Sequence, residues 1–233
     1  MTVPYFFEPL ITIGVNQFTL SPETSKHCVQ VLRMQEGARL DITNGVGVVF
    51  NATLQTAHKN NSVVIIQGHQ MITASSQKIT LGISLLKNAV RLEWLFEKAT
   101  EMGIHQIIPL ICDRTIHERF KIDRMQSIIQ SAMIQSQQAW LPILSSPIPF
   151  DTYINNYKAS VNLIAHCAMG DKKNIKEIVA PNDVHLLIGP EGDFSDAEIA
   201  TATRNNYTPI HLGPTRLRTE TAGIFALSVL KIF

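Results

Sequence analysis

Two glycine-containing segments near the carboxyl end of the chain have the residue types of a ligand-binding site. The first is Leu187-Ile-Gly-Pro-Glu-Gly-Asp193, and the second, Leu-Gly-Pro-Thr-Arg-Leu-Arg-Thr-Glu-Thr-Ala, runs from Leu212 to Ala222. Each stands between an apolar run typical of a strand and a run typical of a helix. Because glycine has no side chain, bare backbone N–H and C=O groups there can approach a planar ligand and hydrogen-bond to it. We therefore predict that the two segments meet as one pocket, with Pro190 and Leu217 on the same side of the molecule.

Length and composition indicate a globular protein without a strong overall charge. The 233 residues are 45% hydrophobic, which predicts one large domain or two small ones with a real core. The formal net charge is +1, so a nucleic-acid partner would have to bind local basic patches. The first residues lack a basic region, and no apolar run approaches the ~20 residues needed to cross a bilayer. These features predict a soluble, cytoplasmic protein.

The cysteines do not indicate a structural or catalytic role. Cys28, Cys112 and Cys167 are too few and too widely spaced for a disulfide framework, and no C-x-x-C pair suggests zinc. We predict three buried, reduced thiols and no metal site. A nucleophilic role for Cys167 is disfavoured because the sequence offers no evident base partner.

The first 72 residues have the pattern of a β-rich domain. Alternating apolar residues flank Asn44-Gly45, a strong signal for a hairpin turn, which predicts a small sheet or barrel. One embedded helix is predicted to begin at Ser21, with a stripe of Cys28, Val31 and Leu32. Short polar residues from 73 to 76 then form the predicted linker to a second domain.

From Lys78 onward, apolar runs typical of strands alternate with stretches of helical periodicity. The predicted strands are Ile79–Leu86, Gln106–Ile111, Val161–Ala165, Val184–Ile188 and Thr208–Leu212. The predicted helices are Arg91–Met102, one from Asp123, Lys173–Val179, one opened by the capping-box spacing of Ser195 and Glu198, and one from Thr219. Strands joined by helical crossovers favour a parallel sheet covered on both faces, with a ligand beyond the carboxyl ends of the strands. Both glycine segments lie at such ends.

Two further sequence patterns bear on the class of protein and on its oligomeric state. The phosphate-binding patterns G-x-G-x-x-G and G-x-x-x-x-G-K-[ST] are both missing, which leaves a nucleotide-dependent dehydrogenase only as a minor alternative. The last helix, 222–233, is apolar nearly all round, which a surface helix cannot sustain in water. We therefore predict that a second subunit covers it.

Longer motifs carry a family resemblance. The carboxyl-terminal half contains Ile188-Gly-Pro-Glu-Gly192, Phe194-Ser195 with Glu198, Leu212-Gly213 and Leu217-Arg-Thr-Glu-Thr-Ala222. Upstream are Val31-Leu-Arg-Met34, Asn44-Gly-Val-Gly47 and Glu97-Lys-Ala-Thr-Glu-Met-Gly103. Together these motifs resemble the RsmE family of ribosomal small-subunit RNA uracil-N3 methyltransferases, and the resemblance covers nearly the full length.

The resemblance implies the fold, the cofactor and the partners. It implies an α/β SPOUT domain at 73–233, with a deep trefoil knot around a mostly parallel sheet, after a PUA-like β-barrel domain at 1–72 that binds RNA. It implies S-adenosyl-L-methionine as the cofactor, bound in the knotted region of a homodimer. The implied reaction is methylation of N3 of one specific uridine in the 16S rRNA of the 30S ribosomal subunit.

Within that framework, residues take three predicted roles. Arg218 would steady the negative charge that develops on the uracil ring, Glu220 would orient Arg218, and Glu191 would contact cofactor or substrate. The predicted cofactor-binding residues are His166, Leu187, Ile188, Gly189, Pro190, Glu191, Gly192, Leu212, Gly213, Leu217, Arg218, Thr219, Thr221 and Ala222. The predicted RNA-binding residues are Lys26, Arg33, Lys87, Arg91, Arg114, Lys121 and Arg124.

The chain also departs from the family pattern. Two cations expected around Gln137, Gln138 and Trp140 are missing, an arginine near the amino terminus is replaced around Tyr5, and Asp193 stands where a second glycine is usual. Aromatic residues can stack on bases where arginines would pair with phosphates. The sequence therefore leaves open a SPOUT paralogue that methylates another RNA position, or one that binds RNA without catalysis.

Overall fold

The computed structural model describes residues 3–117, 119–179 and 182–232. The chain divides into two compact units, one of Met1–Ala74 with Gln130–Leu141 and one of Ser75–Ile129 with Pro142–Phe233. The first boundary falls two residues after the predicted one. The grouping of residues 130–141 with the first unit could not be predicted from the sequence, because 130–135 are the end of a helix that begins in the second unit.

The first unit contains a five-stranded sheet with the order β1-β3-β4-β5-β2. Its elements are β1 (Tyr5–Phe7), β2 (Gln17–Thr19), α1 (Pro22–Lys26), β3 (Arg39–Thr43), β4 (Val48–Thr56) and β5 (Val63–Met71). The turn between β3 and β4 is the predicted hairpin. Gly45 takes a φ of +74°, and the Asn44 side chain accepts hydrogen bonds from the backbone of Val46 (3.0 Å) and Val48 (3.1 Å).

The embedded helix is shorter and less regular than predicted. Ser21 caps α1 by accepting a hydrogen bond from the Thr24 backbone, but α1 ends at Lys26 and a π-helical turn follows over His27–Val31. Of the predicted stripe, Cys28 is buried whereas Val31 and Leu32 are exposed. The wider π turn changes the angular spacing of side chains, so residues three and four apart no longer share one face.

Residues 130–141 supply the first unit with contacts at the positions that depart from the family pattern. The Tyr5 hydroxyl donates to the Gln138 carbonyl at 3.1 Å, and the indole of Trp140 donates to the Ile72 carbonyl at 2.9 Å. The Trp140 ring lies against Gly47, where any larger residue would collide with it. These side chains therefore stabilise the first unit, whatever else they bind.

The second unit is built on an eight-stranded sheet whose strand pairs are all parallel. The strands follow the order β11-β13-β10-β12-β6-β7-β8, with β9 also paired to β7. The strands are β6 (Lys78–Ser84), β7 (Gln106–Ile111), β8 (Ile143–Leu144), β9 (Ile148–Pro149), β10 (Val161–Ala165), β11 (Lys173–Asn174), β12 (Asp183–Ile188) and β13 (Thr208–His211). The helices are α2 (Ala89–Glu101), α3 (Ile122–Gln135), α4 (Phe150–Asn156), α5 (Asp196–Arg204) and α6 (Thr219–Ile232). The predicted parallel α/β sheet is confirmed; the trefoil knot stays a prediction.

One predicted helix of the second unit is wrong, and one real helix was missed. Residues 173–179 form the short strand β11 and a single 3-10 turn over Ile175–Glu177, because only Ile175 is buried and Val179 is largely exposed. The missed helix α4 buries Phe150, Tyr153 and Ile154. Its seven residues are too few for the periodicity to stand out.

The last helix, α6, is largely covered by its own chain. It packs against α2, β6 and β12, and Gly223 lies so close to Leu95 that a Cβ there would sit 2.8 Å from the Leu95 side chain. Ile224, Phe225 and Val229 are left half-buried. Cover by a second subunit is therefore not needed for the whole helix. Phe233, the last residue of the predicted helix, lies outside the described residues.

The buried histidine of β12 predicts acid sensitivity. Burial lowers the pKa of His185, so its neutral form is favoured in the folded protein, while the unfolded chain titrates near the usual value of about 6.5. Its contribution to stability is then fully present above that value and is lost as the pH falls towards the folded pKa. We expect the free energy of unfolding, measured in urea, to decline from pH 7.5 to pH 5.5. His185→Gln should reduce that decline, and the exposed control His117→Gln should not; equal slopes would contradict the assignment.

Candidate active site

The two glycine segments meet, as predicted, in a cavity of about 670 Å³ at the carboxyl ends of the central strands of the second unit. Three stretches line it: one after β10, one after β12, and one that leads from β13 into α6. Pro190 and Leu217 are both among the lining residues. Clefts of this size, where parallel strands end, are common small-ligand sites.

The first glycine turn is shaped by packing as well as by its own flexibility. A Cβ on Gly189 would lie 3.0 Å from the Phe194 backbone nitrogen and ring, so a larger residue would displace the chain. The Asp193 N–H closes the turn on the Pro190 carbonyl at 2.9 Å. From outside, Arg114 donates to the carbonyls of Gly192 (2.8 Å) and Phe194 (3.2 Å). The turn is therefore held in place with its inner face open to the cavity.

The second segment combines a glycine bend with free cationic side chains. Gly213 takes a φ of +130°, which side chains rarely adopt, and has open space where a Cβ would stand. Arg216 and Arg218 line the cavity and are exposed; in the described part of the chain neither guanidinium has a hydrogen bond or ion pair. Their charges are thus available to an anion.

The predicted acidic residues have other partners. The Glu220 carboxylate is buried and lies 3.6 Å from the Arg91 guanidinium, and the described contacts include none between Glu220 and Arg218. Glu191 lines the cavity and accepts a hydrogen bond from the Lys87 backbone at 3.1 Å. Glu220 therefore supports Arg91, which also lines the cavity, instead of orienting Arg218 as expected.

His166 is placed to bind a ligand. It lies just after β10, is 9% exposed and lines the cavity, and neither ring nitrogen has a hydrogen-bond partner among the described residues. Burial lowers the pKa of His166, and the nearby charge of Lys172 lowers it further. A neutral imidazole offers one donor and one acceptor. Because unpaired polar groups are costly to bury, the ring indicates a polar ligand on that side of the cavity.

Most of the predicted cofactor set lies together. Twelve of its fourteen residues line the cavity: His166, Ile188, Gly189, Pro190, Glu191, Gly192, Leu212, Gly213, Leu217, Arg218, Thr219 and Ala222. The other two do not. Leu187 is fully buried in the core, where it packs over Gly82 on β6, because alternate residues of a strand face opposite ways. Thr221 is exposed on the first turn of α6.

The predicted cofactor set left out other lining residues, among them Cys167, Lys172, Asp193, His211 and Arg216. Cys167 is exposed, which corrects the prediction that all three thiols are buried. Asp193 and Arg216 lie within the two predicted glycine segments, but the sequence assigned neither a role in binding the cofactor. Lys172 and His211 carry no motif in the sequence.

The predicted RNA-binding residues fall into three groups. Lys26 and Arg33 are exposed on the first unit, and Lys87 and Lys121 are exposed on the second. Arg124 pairs with Glu93 at 2.9 Å. As described above, Arg91 and Arg114 have partners within the second unit.

Comparison with known families gives the class of this protein. The chain matches the RNA methyltransferase domain over residues 73–231 and the RNA methyltransferase PUA domain over residues 20–67. The first match spans more than half of the chain, and the protein therefore belongs to the RNA methyltransferase family.

Individual relatives narrow this class and confirm the resemblance to the RsmE family. Ribosomal RNA small subunit methyltransferase E of Bacillus subtilis is 28% identical over 228 residues, covering 91% of this chain and 89% of that protein. A candidate methyltransferase of Legionella pneumophila, solved with bound SAM, is 32% identical with a TM-score of 0.90, covering 100% and 98% of the two chains. A probable rRNA-methyltransferase of Porphyromonas gingivalis is 34% identical with a TM-score of 0.91, covering 99% of both chains.

Membrane-spanning helices and metal-binding clusters are both absent from the described residues. No helix has the length and apolarity needed to cross a membrane. No group of three or more histidine, cysteine, aspartate or glutamate side chains is arranged to hold a metal ion.

Proposed function

We propose that this protein transfers the methyl group of S-adenosyl-L-methionine to N3 of one specific uridine in the 16S rRNA of the 30S subunit. The observation that carries the proposal is the cavity in which two backbone turns meet the His166 imidazole and the Arg218 guanidinium, neither of which has a polar partner among the described residues. The similarity to a structure solved with SAM, and to proteins named for ribosomal RNA methylation, supports it.

The residues present fit this cofactor. The cavity volume of about 670 Å³ lies in the range of small-ligand sites, and the turns at Gly189 and Gly213 leave backbone groups open to a planar base. Leu212 and Leu217 supply apolar walls, and the His166 imidazole can hydrogen-bond a polar group of the ligand. When bound, the cofactor supplies an already activated methyl group, so much of the rate acceleration can come from alignment.

Arg218 then supports the chemistry at the base. The proton on N3 of uracil must leave, and negative charge spreads to the neighbouring carbonyl oxygens. A guanidinium fixed next to those oxygens stabilises that charge most strongly where water is excluded. Arg91, held by Glu220, adds a second positive charge on the same cavity. Glu191 is tied to the Lys87 backbone and so links the cavity to the start of α2.

We place a trefoil knot in 73–233, RNA contacts at Lys26, Arg33, Lys87 and Lys121, and a homodimer that uses the half-buried side of α6. Ile224, Phe225 and Val229 support the dimer because they remain partly accessible in a single chain. Ribosomal RNA as substrate implies the cytoplasm.

The direct test is methylation of 30S subunits from a strain that lacks this modification. Purified protein and labelled S-adenosyl-L-methionine should place one methyl group per subunit, and mass spectrometry of the RNA digest should identify 3-methyluridine. Label at another nucleoside would favour a paralogue with a different target. Cofactor binding without any transfer would favour a non-catalytic RNA-binding protein.

Alkylation of Cys167 provides an independent measure of cofactor occupancy. Cys167 is exposed in the cavity, whereas Cys28 and Cys112 are buried, and burial raises the pKa of Cys28 to about 12. Iodoacetamide should therefore modify Cys167 first. At a cofactor concentration about ten times its Kd, the rate of modification should fall about tenfold, because only about one site in eleven remains free. Peptide mass spectrometry measures this rate; an unchanged rate at saturation would place the cofactor elsewhere.

A further inference from the structure

Asp193 occupies a backbone position that favours glycine. Its φ is +66°, in the left-handed region where non-glycine residues are uncommon, although aspartate and asparagine are tolerated best. Strained conformations of this kind persist where the surrounding structure holds them. What holds Asp193 is visible in the hydrogen bonds of its side chain.

The Asp193 carboxylate joins two of the three stretches that line the cavity. One oxygen accepts the Phe194 N–H at 2.8 Å, inside the glycine turn. The other accepts the Cys167 N–H at 2.7 Å, in the loop that follows β10. Both distances are typical of charge-assisted hydrogen bonds. A glycine at this position could adopt the same φ but could make neither bond.

A cation holds the other end of the same loop. The Lys172 ammonium donates to the carbonyls of His166 at 3.1 Å and Ala168 at 2.7 Å. Residues 166–172 are thus held by Asp193 near their start and by Lys172 at their end. His166 directly precedes the first of these two anchors, and within the described residues neither nitrogen of its buried imidazole has a hydrogen-bond partner.

We propose that Asp193 is a positioning residue that sets the affinity for the cofactor. By fixing the loop 166–172 against the glycine turn, its carboxylate determines where the His166 ring and the Cys167 backbone stand in the cavity. This inference rests on the proposed function, since it takes S-adenosyl-L-methionine as the ligand. It assigns Asp193 no contact with the reacting atoms.

Asp193→Gly tests the proposal because it relieves the backbone strain while removing both hydrogen bonds. Calorimetric titration with S-adenosyl-L-methionine should show a Kd raised about tenfold or more, as expected when charge-assisted hydrogen bonds no longer hold the loop 166–172 against the glycine turn. Asp193→Asn, which keeps one acceptor oxygen, should give a smaller increase. The matched control is Asn206→Gly, since Asn206 also has a positive φ, +65°, but does not line the cavity. That variant should bind as wild type does.

Amide hydrogen exchange without cofactor separates positioning from a general loss of structure. In Asp193→Gly, the amides of residues 166–172 should exchange faster than in wild type, while those of β12 stay protected. Unchanged exchange in the loop, a wild-type Kd, or loss of protection throughout β12 would each overturn the proposal. If wild type itself fails to bind S-adenosyl-L-methionine, the proposed function fails, and the exchange comparison still decides whether Asp193 holds the loop.

Discussion

Replacing Arg218 with alanine should lower the rate of methyl transfer by about 10²–10³, the loss typical when one group that stabilises developing charge is removed. The guanidinium lines the cavity and has no hydrogen bond or ion pair within the described residues. Its positive charge is therefore available to stabilise negative charge on the substrate. The substitution leaves no buried partner unpaired, and the fold should be unaffected. The measurement is the rate at saturating RNA and cofactor, together with the cofactor Kd by calorimetry.

Arg216→Ala is the matched control for that experiment. Arg216 has the same charge, lies two residues away, lines the same cavity and is likewise exposed without a described partner. If general positive charge near the RNA were responsible, both variants would lose rate equally, and the loss would shrink as salt rises. A specific role for Arg218 requires a much larger loss in Arg218→Ala, with cofactor affinity retained. A wild-type rate in that variant would remove Arg218 from the mechanism.

The sequence was sufficient to predict the meeting of the glycine segments because the rules behind it are local. A glycine turn after an apolar strand lies at the carboxyl edge of a parallel sheet, and Gly189 and Gly213 obey that rule. The same reasoning placed His166 at a strand end beside them. The prediction that Leu187 lines the cavity was wrong. Whether a strand residue lies in the core or in the cavity depends on which face of the sheet it occupies, and one motif does not determine that face.

The pairings around the cavity could not be predicted in this way. Glu220 and Arg91 meet because α6 packs on α2, and Asp193 reaches Cys167 across two adjacent strands. Such contacts join residues that are far apart in the chain, so they cannot be predicted from the spacing of residues within a helix, strand or motif. The helix predicted at 173–179 failed for a related reason: its helical pattern has only Ile175 to bury, and tertiary packing decides such weak cases.

Removing the Glu198 carboxylate should have the largest effect on stability. Glu198 is 5% exposed, and its side chain accepts the backbone N–H groups of Ser195 at 2.8 Å and Asp113 at 3.0 Å. The Ser195 hydroxyl in turn accepts the Glu198 N–H and donates to the Asp113 carboxylate at 2.6 Å. The start of α5 and the loop after β7 are thereby joined, directly beside the glycine turn that ends at Phe194.

Glu198→Ala leaves two backbone donors, the N–H groups of Ser195 and Asp113, without their partner at a partly buried site. Each such group costs roughly 1–3 kcal/mol, so we expect the free energy of unfolding to fall by about 3 kcal/mol, as measured in urea. Glu198→Gln keeps an acceptor oxygen and should lose less.

Asp196→Ala is the control, because it removes an exposed carboxylate from the same first turn of α5 and should cost under about 1 kcal/mol. Equal losses for the two alanine variants would mean that helix electrostatics, and not the buried hydrogen bonds, stabilise this junction. A loss confined to Glu198→Ala, with weaker cofactor binding in the variant that remains folded, would show that the junction also supports the neighbouring turn.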